Sequence, residues 1–217
     1  VLPGAGDALT PNPAYTQDAV IASVGGLFTA AAKGDKAAQS LIGQIARVTG
    51  AAPDPISFIT PLSVTVYGLT DLLNTMNGIG YSNAERTYTG SADDAALNAG
   101  VQRFKASAAS SAYLDANYTA TGHFTAKMLT LHNTSDPLVP SLFVPEFARI
   151  VAAAGNSGNL VQQWADAKPV NLADLKNSGP AHCYFTPQQG VNAWNELRGW
   201  VEHGVKPEEG LNITTTK

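Results

Sequence analysis

The stretch Met128-Leu-Thr-Leu-His-Asn-Thr-Ser-Asp-Pro-Leu-Val-Pro140 constrains this chain more than any other. It opens as a four-residue apolar run, Met128 to Leu131, suited to a strand covered on both faces. It then passes into a polar turn that ends at Asp136. Leu160 to Trp164 reads as a second strand, with Gln162 and Gln163 expected to be partly exposed near a sheet edge. Between the two, Pro145 to Ala154 has helical spacing, with Phe147, Ile150 and Val151 inward, and ends at Gly155. A strand, a helix and a strand in this order imply parallel pairing through a crossover helix. The second strand leads toward Gly179-Pro-Ala-His-Cys-Tyr-Phe-Thr-Pro187, which places His182 in a loop. Thr186, Pro187 and Gln189 then mark a helix start with a capping box, and Gly204 marks its end. Val191, Trp194, Leu197 and Val201 form the expected buried stripe.

The amino-terminal half has another pattern. Residues 1–13 are turn-rich, with Pro3, Gly4, Gly6, Pro11 and Pro13, and are not expected to form regular structure. Helices are expected over Asp18–Ala32, where Gly25-Gly26 weakens the pattern, and over Asp35–Val48, capped near Gly50. The prolines of Ala51 to Pro61 break the helical pattern. Leu62 to Met76 suits a helix, although Val64, Val66 and Tyr67 also allow a strand. Ser91, with Asp94 three residues on, suits the start of a helix running to about Lys105, and a shorter helix follows over Ala106 to Ala116. Residues 1–120 therefore read as a helical region and 121–217 as an α/β segment.

Composition narrows the classes. Of 217 residues, 44% are apolar and 14% charged, as in a globular chain, and the net charge of −4 supplies no basic field for nucleic acid. No apolar run reaches the length of a membrane span. Low charge with abundant Ala, Gly, Ser, Thr and Asn suits a secreted or periplasmic protein. The sequons at Asn117, Asn133 and Asn212 are short enough to arise by chance, and a glycan on Asn133 would sit awkwardly in the Asp136 turn. Cys183 stands alone, and four histidines without metal-ligand spacing point to no metal and no cofactor.

Each candidate residue has a structural reading beside a chemical one. Asp136 can be a turn aspartate or helix cap, or it can hold a histidine in one tautomer. His182 can be a loop histidine satisfied by backbone, or a general base. His132 can line a pocket or pack structurally, and Ser157 reads as part of a helix-ending turn. An acid after one strand and a histidine after its parallel neighbour emerge at the same sheet edge, so the pair weighs more than either residue.

Thr121-Gly122, Lys127-Met-Leu-Thr-Leu-His132 and Asp136-Pro-Leu-Val-Pro140 together resemble the acid-bearing strand of α/β-hydrolases. Ala181-His-Cys-Tyr-Phe-Thr186 and the helix after it resemble their histidine loop and final helix, with Ala181 where glycine is usual. The nearest group is secreted bacterial serine hydrolases, esterase- or peptidase-like. Ser91 to Phe104 also has counterparts there, in the stretch before the acid strand. The resemblance implies the C-terminal half of an α/β-hydrolase fold with an N-terminal α-helical cap, Asp136 as triad acid and His182 as triad base. The nucleophile elbow G-x-S-x-G does not occur in the sequence. In the family it precedes the cap, so the serine is expected on an N-terminal chain that also carries strands; self-association through the open sheet edge is the other expected partner. The implied substrate is a small-molecule ester, its pocket shaped by cap residues Phe58 and Tyr67 with His132. The resemblance also implies that Cys183 could be bridged to a cysteine of another chain, against the plainer reading of a buried free thiol. A non-catalytic binding or scaffold protein derived from a hydrolase is the alternative function.

Overall fold

The computed structural model describes residues 6–7, 10–11, 13–167 and 182–214, leaving aside the side chains of residues 6, 7, 10, 11, 64–67 and 69. The chain divides into two compact units, Val1–Thr119 and Ala120–Lys217. At the coarse level it is α/β, with helices throughout and one parallel strand pair.

The first unit begins with a small antiparallel ladder, β1 (Gly6–Asp7) and β2 (Thr10–Pro11), where the sequence suggested only irregular turns. Helix α1 (Gln17–Ala32) starts at Thr16, whose hydroxyl accepts the Ala19 N–H at 3.2 Å. Helix α2 (Lys36–Thr49) is capped by Asp35 at its start and by left-handed Gly50 at its end. Helix α3 (Pro55–Met76) corrects the expected break over Ala51 to Pro61. Asp54 caps it by accepting the Ser57 N–H at 2.9 Å, and Pro55 occupies the first helical position, where its lack of an N–H costs nothing. Pro61 removes one helical hydrogen bond inside the helix, yet Ile56, Phe58 and Ile59 just before it are buried. Burial of that face outweighs the local penalty. The core of this unit is Val20, Val24, Ala38, Ile42, Leu73 and Met76 with those three, and Phe28 meets Phe58 edge-on at 5.4 Å.

Helix α4 (Asp94–Gly100) is shorter than expected, and its cap is Asp93 rather than Ser91. The Asp94 carboxylate instead accepts the Ser91 N–H at 2.8 Å and the Ser91 hydroxyl at 2.6 Å, so it ties down the turn in front of its own helix. The helix stops because the following backbone is held elsewhere. Phe104 N–H donates to Asn83 Oδ1 at 2.7 Å, and the Arg103 guanidinium donates to the carbonyls of Asn83, Arg86 and Asn98. Helix α5 (Ala108–Asn117) follows with Ser107 as its cap.

The second unit contains β3 (Met128–Asn133), α6 (Phe143–Ala153), a 3₁₀ turn over Ser157–Asn159, β4 (Leu160–Ala165) and α7 (Pro187–His203). The strands are parallel neighbours in register from Met128 opposite Leu160 to Asn133 opposite Ala165. Successive side chains of a strand face opposite ways. Gln162 and Trp164 share a cavity wall with α6, while Gln163 donates to Glu196 of α7 at 2.7 Å. The two helices therefore cover opposite faces of β4.

Strand β4 is interior, which corrects the expectation for its glutamines. Gln162 is 6% exposed and Gln163 fully buried. The C-terminal segment runs along the other edge of β4: Gly210 N–H donates to Gln162 O at 2.8 Å, Trp164 N–H to Leu211 O at 2.9 Å, and Ile213 N–H to Trp164 O at 2.8 Å. Among the described residues β3 pairs with β4 alone, so β3 is the outer strand.

Helix α7 forms where expected. The Thr186–Gln189 capping box is complete, and Gly204 ends the helix at φ 74°. Its buried face differs from the expected one. Gln189 and Trp200 are buried, whereas Val191, Trp194 and Val201 are 50, 61 and 62% exposed. The exposed three lie about 120 to 200° around the helix from Gln189 at 100° per residue. Helical spacing reveals that a face is apolar; the neighbouring elements decide which face is covered.

Gly122 shows a local requirement of the second unit. Its φ is +73°, and a Cβ there would lie 2.7 Å from Ile150 O and 2.9 Å from Val151 Cα. Asn156 fixes this close crossing over α6 by donating to Gly122 O and Phe124 O.

Candidate acid–base site

Asp136 lies three residues beyond β3, in a turn that its own carboxylate organises. Oδ1 accepts the Leu138 N–H at 2.9 Å and the Val139 N–H at 2.8 Å. Pro137 between them has no N–H to offer, so the turn draws its donors from the next two residues. Oδ2 meets His182 Nδ1 at 2.8 Å and accepts the Cys183 N–H at 3.4 Å. The Asp136 side chain is 2% exposed and that of His182 28%. Asp136 is thus a turn aspartate and a histidine partner at once.

Burial by itself would raise the Asp136 carboxyl. The hydrogen bonds from Val139 N–H, His182, Leu138 N–H and Cys183 N–H outweigh it and hold the group below its ordinary value. A charged carboxylate can only accept, so the Nδ1 of His182 carries the proton. Neutral His182 then presents a lone pair at Nε2, the form a general base needs. Nε2 meets Cys183 Sγ at 3.5 Å, and no serine hydroxyl among the described residues bonds to it. Cys183 has φ +51°, in the left-handed region that residues other than glycine seldom adopt. Burial, followed by the Asp136 charge, raises its thiol, so it favours the neutral form and is poorly suited as a nucleophile.

The sequence places Asn133 beside the Asp136 turn as part of a sequon, but does not reveal its hydrogen-bonding role there. It is the last residue of β3 and is fully buried. Its Oδ1 accepts the Tyr184 N–H at 2.7 Å, while its Nδ2 donates to Tyr184 O at 3.0 Å and to Ala165 O at 3.3 Å. The side chain is occupied on both ends inside the protein, which leaves no room for a glycan in the folded state. The available signal was an amide at the end of a strand just before the acid turn, where one group can donate and accept across to a neighbouring loop.

The remaining sequence candidates are not gathered with the pair. His132 is half-buried, bonds through Nδ1 to Asn133 O at 2.8 Å and meets Trp164 edge-on at 6.0 Å. Phe58 is 5% exposed, in the core of the first unit against Phe28. Tyr67 lies within α3, and its side chain is outside the described residues. An open cavity of about 480 Å³ lies on the α6 face, lined by Leu142, Val144, Pro145, Trp164 and Glu209 among others, and neither Asp136 nor His182 is in its wall.

Asp136, His182 and Cys183 bring oxygen, nitrogen and sulfur donors within 4.8 Å of one another. Both Asp136 oxygens and Nδ1 are engaged in hydrogen bonds, so only Nε2 and Sγ are left for an ion. Two ligands fall short of the three or four protein ligands of ordinary zinc centres. No helix among the described residues is long and apolar enough to cross a membrane. Comparison with protein families, curated proteins and solved structures returns no match.

Proposed function

We propose that this chain supplies the acid and base of a serine hydrolase acting on carboxylic esters, within the C-terminal half of an α/β-hydrolase fold. The observation that carries this reading is the bond between His182 Nδ1, in the loop ahead of α7, and the buried, charged Asp136 in the turn after β3. Nε2 accepts the proton of a serine hydroxyl as it attacks the ester carbonyl, and returns it to the departing alcohol. Asp136 keeps its charge and stabilises the imidazolium between those steps. The same cycle with water as nucleophile releases the acid from the acyl-serine. The serine and the oxyanion donors are assigned to a strand-bearing polypeptide segment outside these 217 residues.

Two features support a further layer beside this unit. The outer edge of β3 has no strand partner among the described residues, and exposed strand edges favour added pairing. Helix α7, which packs on β3, presents Val191, Trp194 and Val201 uncovered. A strand laid along β3 would extend the sheet, and a separate element would cover the apolar side of α7, which faces away from the sheet. Self-association through the same edge is the competing outcome.

The natural preparation tests the reading. Intact mass spectrometry is expected to show a second polypeptide travelling with this chain, and a fluorophosphonate probe should label that polypeptide and never this one. His182→Ala in the assembled enzyme should lower ester turnover by about 10²–10⁴-fold, the usual share of a general base. A single species that hydrolyses nothing would leave the binding or scaffold reading in its place.

A further inference from the structure

We propose that Asn133 is the positioning residue of the acid–base pair, clamping the histidine loop to the end of the acid strand. This deepens the hydrolase reading and rests on it for the purpose of the clamp, although the clamp itself is a property of this chain alone.

His182 has no helix or strand to hold it. It is only 28% exposed at the side chain, but it sits in a loop, five residues ahead of the first residue of α7. Its described neighbours Cys183 and Tyr184 belong to no helix or strand, and both are solvent-exposed. A loop of this kind loses conformational freedom to hold one geometry. One hydrogen bond from Nδ1 contributes about as much as ordering a single residue costs. Asp136 adds a long bond from the Cys183 N–H at 3.4 Å, and beyond Cys183 the loop needs another hold.

Asn133 supplies that hold from a rigid element. It is the final residue of β3, paired opposite Ala165, and its side chain is fully buried. Its amide bonds both backbone groups of Tyr184, the N–H at 2.7 Å and the carbonyl at 3.0 Å, as a neighbouring strand would. The third bond, to Ala165 O at 3.3 Å, fixes the orientation of the amide. The clamp grips two residues beyond His182, and Asp136 lies three residues beyond Asn133. One strand end thus holds both partners of the pair, and their separation of 2.8 Å follows from a short, closed set of bonds. Rotating the amide would place its NH₂ against the Tyr184 N–H, so only one orientation satisfies all three partners.

The test reads the Asp136–His182 bond directly, by proton and nitrogen NMR of histidine-labelled protein. In the unaltered chain the His182 Nδ1–H proton should appear as a slowly exchanging low-field resonance, absent from Asp136→Asn. Asn133→Ala should abolish that resonance and shift His182 toward the Nε2–H tautomer that free imidazole prefers. Tyr184→Phe, which leaves the clamped backbone in place, should retain it. Gln163→Ala removes another fully buried, hydrogen-bonded amide; it should lower stability yet keep the resonance, which separates positioning from general support. A resonance and tautomer unchanged in Asn133→Ala would overturn the proposal. If Asn133→Ala does not fold, amide exchange in the unaltered chain decides: Tyr184 N–H must be protected, and exchange as fast as in an open loop would overturn the clamp. None of these readouts uses ester turnover. Loss of probe labelling with the resonance pattern intact would reject the hydrolase reading alone.

Discussion

Asp136 faces His182 Nδ1 with both carboxylate oxygens, Oδ2 at 2.8 Å and Oδ1 at 3.0 Å, while Oδ1 also closes the turn onto Leu138 and Val139. The same bonds that shape the turn hold the charge that orients the imidazole. Structure and proton chemistry are therefore coupled at this residue, and changes in pH read both.

Folded Asp136 keeps its charge to lower pH than the unfolded residue, whose ordinary value is 3.8. Its contribution to stability is complete above that value and is lost as pH falls through the acid range beneath it. Chemical denaturation between pH 7 and pH 2 should show stability falling at the acid end. Asp136→Asn should be less stable at neutral pH and show a shallower acid decline; an identical decline would remove Asp136 as a source of it.

The Cys183 thiol is raised from its ordinary value of 9.0 by burial and by the Asp136 charge. Alkylation by iodoacetamide follows the thiolate, so its rate at neutral pH should be below that of a free cysteine. The midpoint of the rate–pH profile should lie above 9.0 and move down in Asp136→Asn.

Gly122→Ala should destabilise the second unit by at least about 1 kcal/mol, because a side chain must be accommodated at positive φ. The clash with Ile150 O and Val151 Cα adds to that cost. The melting temperature measures it, and an unchanged value would show that the crossing over α6 can relax.

Gly25 and Gly26 give the opposite expectation. Both lie inside α1, and a Cβ at either would meet nothing within 4 Å. Replacing both with alanine should stabilise the chain by about 1–2 kcal/mol through helix propensity alone. Urea denaturation would register this as a higher midpoint with an unchanged slope.

Much of the second unit was legible in the sequence because its signals are local. The capping box of Thr186 and Gln189 works within four residues, and the apolar run from Met128 announces a strand without reference to its neighbours. The meeting of Asp136 with His182 was reachable as well, since adjacent parallel strands place their following loops at one edge. In the first unit the same logic located α1 and α2 but misplaced the start of α3. The prolines of Ala51 to Pro61 suggest a break in the helical pattern, whereas Pro55 sits where a helix accepts it and Pro61 is carried by the buried face beside it.

The sequence by itself determined the order of the larger elements, the cap that ends α2, the caps that start and stop α7, and the two loops that carry the acid and the histidine. Tertiary structure alone decided that β4 is interior, that α7 buries Gln189 and Trp200 while exposing Trp194, and that Asn133 grips Tyr184 across 51 residues of chain. The reason is the range of the forces involved. Caps and turns are satisfied by groups a few residues away, whereas burial and cross-strand hydrogen bonds depend on which distant segment arrives, and the sequence does not announce that segment locally.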